Sequence, residues 1–219
     1  MKFKLNNKEI ELTDEEVQEI VKQNSEPKGV EIKRWDNKEV IFTSTKQTVK
    51  DAVEEAVSKG VSLEFADLSN TNLRYADLSN TDLHYADLSN TDLRYAYLRN
   101  AYLTNANLYN ANLFNADLFN VNLRNANLYN AELSHADLAN ADLTNADLYK
   151  ADLFNANLAD ANLYKANLSN ADLADADLFN TNLSNADLAD AKFYGRRGTQ
   201  KLTKEQVPVF LKALGFIIE

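Results

Sequence analysis

The side chains best suited to chemistry are carboxylates that recur at intervals of twenty residues. Glu132, Asp152 and Asp172 form one such series. Two carboxylates that flank a cleft can hydrolyse a glycosidic bond, and roughly six to eight oxygens in a closed shell bind Ca²⁺. Both arrangements need loops, and no insertion interrupts this part of the sequence. We therefore expect neither chemistry, and we assign the three carboxylates to a binding surface.

Histidine and cysteine provide no further catalytic or metal-binding set. The chain has no cysteine and two histidines, His84 and His135, which fall at different positions of the repeat described below. Glycine-rich phosphate-binding loops are also absent from the sequence. These observations predict a protein that is not an enzyme and that uses no cofactor and no metal ion.

Aromatic side chains follow the same interval as the carboxylates. Tyr109, Tyr129 and Tyr149 form one series, and Phe114 and Phe154 belong to the neighbouring one. Such rings can shield the backbone beneath them, or they can anchor a partner protein, since tyrosine is enriched at protein interfaces. Both interpretations stay open at this stage.

A period of five residues underlies these intervals. An apolar residue occupies every fifth position from Leu63 to Leu188 and then Phe193, in 27 consecutive pentads. The residue two places earlier is alanine in 21 pentads, and threonine or valine in the others. A helix has about 3.6 residues per turn and a strand alternates every two, so neither gathers these positions on one face. The chain must instead change direction every five residues.

Four pentads with a turn at each corner make a square coil. Stacking the coils places residues twenty apart in one column, with about 4.8 Å between successive residues of that column. The central leucine and the small residue then point inward, while the other three positions face solvent. Asparagine ends 16 of the pentads and is expected to take the turn conformation that glycine usually provides. The carboxylates and rings should accordingly stack in outward columns.

The pentads, of the form Ala-(Asp/Asn)-Leu-x-x as in Ala-Asn-Leu-Tyr-Asn at 106–110, resemble the pentapeptide-repeat family. The resemblance covers residues 61–195. It implies a mainly β fold, namely a right-handed quadrilateral parallel β-helix of about seven coils. It also implies one candidate role, because some family members resemble duplex DNA in size and charge and bind DNA gyrase, protecting it from quinolones or inhibiting it.

Residues 1–60 do not follow the repeat and are predicted to form a small α/β domain with the element order ββαββα. Two hairpins are indicated, with turns at Asn6-Asn7 and Asp36-Asn37. The segments 13–16 and 44–47 each fit a capping box that would open a helix. We expect part of this domain to cover the N-terminal end of the β-helix, since an open end exposes unpaired backbone.

Residues 196–219 leave the repeat and contain a helical pattern followed by an apolar tail. Four apolar residues carry the prediction for this segment: Phe210, Leu214, Phe216 and Ile217. They would form either a capping helix that covers the last coil or the contact of a homodimer through the C-terminal end. The two arrangements are compatible.

The negative charge is concentrated in the repeats. The whole chain has a net charge of −10, whereas residues 61–195 hold 18 acidic and 7 basic side chains, a net of −11. This balance argues against direct binding to nucleic acid or to an anionic membrane, and favours a partner with a basic surface. No apolar run reaches the ~20 residues that span a bilayer, and none marks a signal peptide, so we expect a cytoplasmic protein.

These patterns predict a non-enzymatic scaffold that binds another protein through its outward columns. The alternative is a DNA mimic that binds or inhibits gyrase. Duplex DNA carries one charge per ~1.7 Å, whereas a net of −11 over a β-helix of about 30 Å gives one per roughly 3 Å. Because these charges are also spread over four faces, the scaffold is the preferred interpretation.

Overall fold

The structure, a computed structural model, describes residues 2–5, 8–18, 29–193, 207, 208 and 211. Within the repeats, residues twenty positions apart pair as parallel strands, from Asp67 with Asp87 to Asp172 with Lys192. The predicted pairing of columns is therefore confirmed. We number the four faces of the coils by the first central leucine of each: Leu63 on face 1, Leu68 on face 2, Leu73 on face 3 and Leu78 on face 4.

The core consists of the central leucines and the small residues beside them. Every central leucine from Leu63 to Leu188 is 3% exposed or less. Thr81, Thr91 and Thr181 are buried in the same inward position. The hydroxyl of Thr91 donates to the carbonyl oxygen of Leu68 at 2.7 Å, which satisfies the polar group inside the coil. Each buried leucine contributes about 1.5–3 kcal/mol to stability, so burial of the leucines is a main source of the stability of the repeats.

Backbone hydrogen bonds connect each coil to the next and close each corner. Leu128 N–H donates to the carbonyl oxygen of Asp147 at 2.7 Å, and Asp147 N–H donates back to Ala126 at 2.9 Å. Within a coil, Ala131 N–H donates to the carbonyl oxygen of Leu128 at 3.0 Å and closes a four-residue turn. The repeat thus satisfies its backbone without long strands.

The third residue of each turn lies in the left-handed region of backbone conformation. Every fifth residue from Phe65 to Asp190 has φ between 53° and 61°. Asparagine or aspartate fills 19 of these positions, which confirms that they replace glycine in the turns. The other side chains at these positions are Phe65, Tyr75, Tyr85, Tyr95, His135, Lys150 and Lys165.

The N-terminal segment begins with an antiparallel hairpin of β1 (Lys2–Leu5) and β2 (Lys8–Glu11). Residues 14–18 are helical and belong to α1. Thr13 N–H donates to the Glu16 carboxylate at 2.8 Å, and Glu16 N–H donates to the Thr13 hydroxyl at 3.1 Å. The predicted capping box is therefore present.

A second antiparallel hairpin, β3 (Glu31–Lys33) with β4 (Val40–Thr43), precedes helix α2 (Val49–Ser58). The prediction that a capping box at 44–47 opens this helix is wrong. Thr48 is the N-cap, and its hydroxyl accepts a hydrogen bond from Asp51 N–H at 3.1 Å.

The side chain at the predicted cap has another use. Ser44 is 2% exposed and donates to the Glu55 carboxylate, and its hydroxyl accepts from Lys46 N–H at 2.9 Å. It therefore ties the loop after β4 to the side of α2, instead of opening the helix.

The N-terminal elements contact the edge of the first coil directly. Asp67 N–H donates to the carbonyl oxygen of Lys33 at 2.7 Å, and Trp35 N–H donates to that of Phe65 at 2.9 Å. On face 4, the carboxylate of Glu54 in α2 accepts from Asp77 N–H at 3.1 Å. These bonds satisfy backbone groups that have no preceding coil to pair with.

Helix α2 also extends the apolar core. Its buried residues Ala52, Val53 and Ala56 lie in the same apolar cluster as Leu63 of the first coil. At the other end of the chain, positions 207, 208 and 211 are helical. Four predicted contact residues there lie outside the described residues: Phe210, Leu214, Phe216 and Ile217. No helix in the described part of the chain is long and apolar enough to cross a membrane.

Candidate interaction surface

The three tyrosines on face 2 stack along the axis of the β-helix. The ring centroids of Tyr109 and Tyr129 are 5.4 Å apart, and those of Tyr129 and Tyr149 are 5.3 Å apart. Tyr109 is 40% exposed, and the ammonium group of Lys150 lies 5.2 Å from the ring of Tyr149. The column offers both apolar area and hydroxyl groups to a partner.

The three carboxylates form an outward column on face 3. Glu132 pairs with Asp152, and Asp152 pairs with Asp172, as parallel neighbours. The Ser134 hydroxyl donates to Glu132, and Phe154 N–H donates to Asp152 at 2.9 Å. These local bonds orient the carboxylates without neutralising them.

The charge of this acidic column is poorly balanced. Asp172 has a cationic partner, Lys192, at 3.4 Å, whereas Glu132 and Asp152 have none among the described residues. Burial raises the pKa of Asp152 above its ordinary value of 3.8, and the charges of Glu132 and Asp172 raise it further. The Phe154 N–H and the more distant charge of Lys192 oppose the shift without cancelling it. Asp152 is thus a carboxylate in an unfavourable setting.

An aromatic ladder, not predicted as a unit, runs beside the acidic column on face 3. Its members are Tyr75, Tyr95, Phe114, His135 and Phe154. Successive ring centroids are 5.1, 5.6, 5.4 and 5.6 Å apart, first stacked and then edge-to-face. His135, which the sequence analysis assigned to no catalytic or metal-binding set, joins Phe114 to Phe154.

The ladder places aromatic side chains where the backbone favours asparagine. Tyr75, Tyr95 and His135 have φ of 59°, 59° and 61°, in the left-handed region. A bulky side chain there is strained relative to asparagine or glycine, by an amount on the order of 1 kcal/mol. The rings are therefore not what the turn itself requires, and their mutual contacts offset part of the strain.

The N-terminal half of face 3 contains its own cations. The Arg94 guanidinium donates from two nitrogens to Asp92, at 2.8 and 2.5 Å. The Arg74 guanidinium carbon lies 5.1 Å from the ring centroid of Tyr75 and 5.4 Å from that of Tyr95. This half thus has both a carboxylate–arginine pair and an arginine over two rings.

One aspartate on each of the other three faces has a cation close to it. On face 2, Asp67 lies 3.2 Å from Lys38, and on face 4, Asp117 lies 3.1 Å from Arg99. On face 1, the carboxylate of Asp142 lies 3.1 Å from Arg124. The three carboxylates on face 3 form the longest uninterrupted run of acidic positions in any of these columns, and one of the three has a cation within 4 Å.

A separate aromatic cluster joins the N-terminal hairpin to the first coils. The rings of Phe65 and Tyr85 stack at 4.8 Å, and the Trp35 indole N–H donates to the carbonyl oxygen of Tyr85 at 2.7 Å. The Arg34 guanidinium lies 4.1 Å from the centroid of Phe65. Trp35 is 43% exposed, but its hydrogen bond gives the cluster a clear role in fixing the hairpin.

The described residues contain no group of three or more histidine, aspartate or glutamate side chains that could hold a metal ion. An open cleft of about 660 Å³ lies between the start of α2 and the first coil. Its lining brings Lys50 and Arg74 together with Asp51, and contains neither a nucleophile paired with a base nor a histidine.

Twenty-residue coils, an interior of leucines with small residues beside them, and left-handed turn residues define a pentapeptide β-helix, and sequence comparison agrees. Pentapeptide repeats match in eight copies, at residues 62–94, 82–120, 116–155 and 156–195. Since these matches cover more than half of the chain, the protein belongs to the pentapeptide-repeat family, whose members form right-handed β-helices. A comparison with curated protein sequences yields no significant match.

Solved structures of pentapeptide-repeat proteins resemble this chain. Rfr23 from the cyanobacterium Cyanothece 51142 is 44% identical over 42% of this chain, with a TM-score of 0.42, and the chain covers 63% of its length. HetL, involved in heterocyst differentiation regulation in Nostoc sp. strain PCC 7120, is 36% identical over 58% of this chain and 72% of its own, with a TM-score of 0.19.

QnrB1, a plasmid-mediated fluoroquinolone resistance protein, is 21% identical over 70% of this chain and 86% of its own. Its TM-score is 0.52, and the likeness shows a shared fold.

Proposed function

We propose that the protein is a non-enzymatic scaffold that binds another protein through faces 2 and 3. The aromatic ladder carries this proposal, because Tyr75, Tyr95 and His135 occupy turn positions where asparagine would be less strained. Rings held at fixed spacing on a rigid backbone lose little entropy on binding, which suits them as anchors. The proposal includes no cofactor, no metal and no direct contact with nucleic acid or membrane.

Finer features of the scaffold follow from the same reasoning. We infer that the 27 pentads wind almost seven coils, with α2 and β3 covering the first coil. A cytoplasmic location fits an acidic chain that has no cysteine. The sides of the coils are then the binding surface.

Site-specific photo-crosslinking tests the scaffold. A crosslinking amino acid replaces Tyr149 on face 2, Phe154 on face 3 or, as the control, Ala159 on face 4. All three residues follow the central leucine of their pentads. In extracts of the source organism we expect a discrete protein adduct from face 2 or face 3 and none from face 4. Equal adducts from all faces, or none from any, would contradict the proposal.

DNA mimicry is the second candidate, and the three consecutive carboxylates on face 3 favour it. The pairs of Arg99 with Asp117 and of Arg124 with Asp142 weigh against it, because they interrupt the negative charge on other faces. Supercoiling by DNA gyrase is measured with increasing protein at two salt concentrations. Inhibition that weakens as salt rises would support the mimic, and no effect at micromolar protein would leave the scaffold.

A further inference from the structure

Both halves of face 3 contain rings and carboxylates, but the first half has two arginines and the second has one lysine at its end. The N-terminal half pairs Asp92 with Arg94 and places Arg74 over Tyr75 and Tyr95. The C-terminal half has rings and carboxylates as well. We call this second set the open half, and its members are Phe114, His135, Phe154, Glu132, Asp152 and Asp172. Within the described residues, one cation reaches it, Lys192 at the far end.

The side chains that follow the central leucines explain the difference. In the N-terminal half these positions are Arg74 and Arg94, and in the open half the equivalent positions include Ser134 and Ala174. Ala174 stands two residues after Asp172, just as Arg94 stands two residues after Asp92. The open half therefore lacks the guanidinium groups that the same backbone carries in its first coils.

We propose that the open half of face 3 binds arginine side chains from an extended segment of a partner protein. These arginines would contact its carboxylates and rings as Arg94 contacts Asp92 and Arg74 contacts its two tyrosines in the first half. This inference rests on the proposed scaffold function and names the chemistry of its partner. A guanidinium group fits better than an ammonium group, because it is planar, donates to a carboxylate from two nitrogens and stacks on rings. Charge complementarity selects it, since Glu132 and Asp152 have no cation of their own among the described residues.

The dimensions of the open half agree with such a segment. Glu132 and Asp172 are two coils apart, about 9.6 Å at the spacing of parallel strands. Alternate residues of an extended chain lie about 6.6–6.8 Å apart, between the ~4.8 Å spacing of neighbouring carboxylates and the ~9.6 Å length of the column, so two arginines separated by one residue fit within the run of three carboxylates. A partner with alternating arginines is therefore the expected occupant.

The test measures binding of a labelled peptide with alternating arginine and serine by fluorescence anisotropy, using the whole protein. Ala174→Arg places a guanidinium two residues after Asp172, as Arg94 stands after Asp92. Ala189→Arg on face 2 controls for the added charge and the local sequence, because residues 171–175 and 186–190 have the same sequence, Ala-Asp-Leu-Ala-Asp. Both variants change the net charge equally. We expect about tenfold weaker binding for Ala174→Arg and less than about a twofold change for Ala189→Arg.

Two further measurements separate the outcomes. Asp152→Asn should also weaken binding, and the same peptide with lysine in place of arginine should bind more weakly to the unmodified protein. Equal losses in the two arginine variants would show non-specific attraction to an acidic protein and overturn the proposal. Absence of peptide binding would overturn it too, while a face-specific photo-crosslink from Tyr149 would leave the scaffold function intact.

Discussion

The two halves of face 3 share one backbone and one kind of core, yet they balance their charges differently. In the first half, Arg94 lowers the pKa of Asp92 by hydrogen bonding to its carboxylate. In the second half, burial and two neighbouring negative charges raise the pKa of Asp152. The repeat thus determines which residues pack inside the coils and allows the outward residues to vary. A binding surface can therefore change without a change of fold.

The largest expected effect tests whether the cores under the two halves are equivalent. Leu93 and Leu153 are both fully buried beneath face 3. Replacing either with alanine should lower stability by about 2–5 kcal/mol, and by similar amounts, because each leaves the same cavity. Urea denaturation followed by circular dichroism measures both losses. Losses that differ by more than about 1 kcal/mol would mean that the halves differ below the surface as well.

A smaller loss is expected when the first half is made to resemble the second. Arg94→Ala removes the two-nitrogen contact with Asp92 and should lower the thermal midpoint by about 2 °C, since solvent screens this exposed pair. Arg124→Ala, which removes a single 3.1 Å contact with Asp142, is the control and should cost less.

The loss from Arg94→Ala should also depend on pH. Because the folded-state pKa of Asp92 lies below its ordinary value of 3.8, the contribution of the pair is present above that value and disappears as pH falls through the lowered pKa. A loss in thermal midpoint that persists unchanged at strongly acid pH would contradict this assignment.

An opposite change is expected in the second half. Asp152→Asn should raise the thermal midpoint by about 1–2 °C at neutral pH, because it removes a partly buried charge next to two like charges. The pKa of Asp152 is raised on folding, so its unfavourable contribution is full above the folded pKa and vanishes as pH falls below 3.8. Asp92→Asn, the matched control, should lower the midpoint at neutral pH. A lower midpoint for Asp152→Asn would place a cation beside that carboxylate.

The smallest effect concerns the turn in the middle of the ladder. His135→Asn loses the ring contacts with Phe114 and Phe154 but relieves the strain of a bulky residue at φ of 61°. These two terms oppose each other, so the midpoint should shift by less than about 1 °C. A drop of several degrees would show that the ladder contributes substantially to stability.

The interior of the repeats could be predicted from sequence because each inward position is used in the same way in every coil. Leucine at each centre and alanine two places before it leave one arrangement that buries both. The start of α2 could not be predicted in this way, because Ser44 and Thr48 are both good caps and tertiary contact with Glu55 decides between them.

The aromatic ladder was missed for a geometric reason. The twenty-residue period of the coils connects residues twenty apart, such as Tyr75 with Tyr95. The ladder continues from Tyr95 to Phe114 and from Phe114 to His135, which are 19 and 21 residues apart, because long side chains at adjacent turn positions reach each other across coils. Searching for aromatic residues at 19 and 21 as well as 20 would have found it.

The hairpin that meets the first coil has a consequence for self-association. An uncovered end of a β-helix is a template on which another copy of the chain can polymerise. Lys33 and Trp35 occupy hydrogen-bonding positions next to the edge at 65–67, and Glu54 occupies another above Asp77. A second molecule cannot add a coil at those places without first displacing them, so the hairpin and α2 act as a stop against fibre growth from this end.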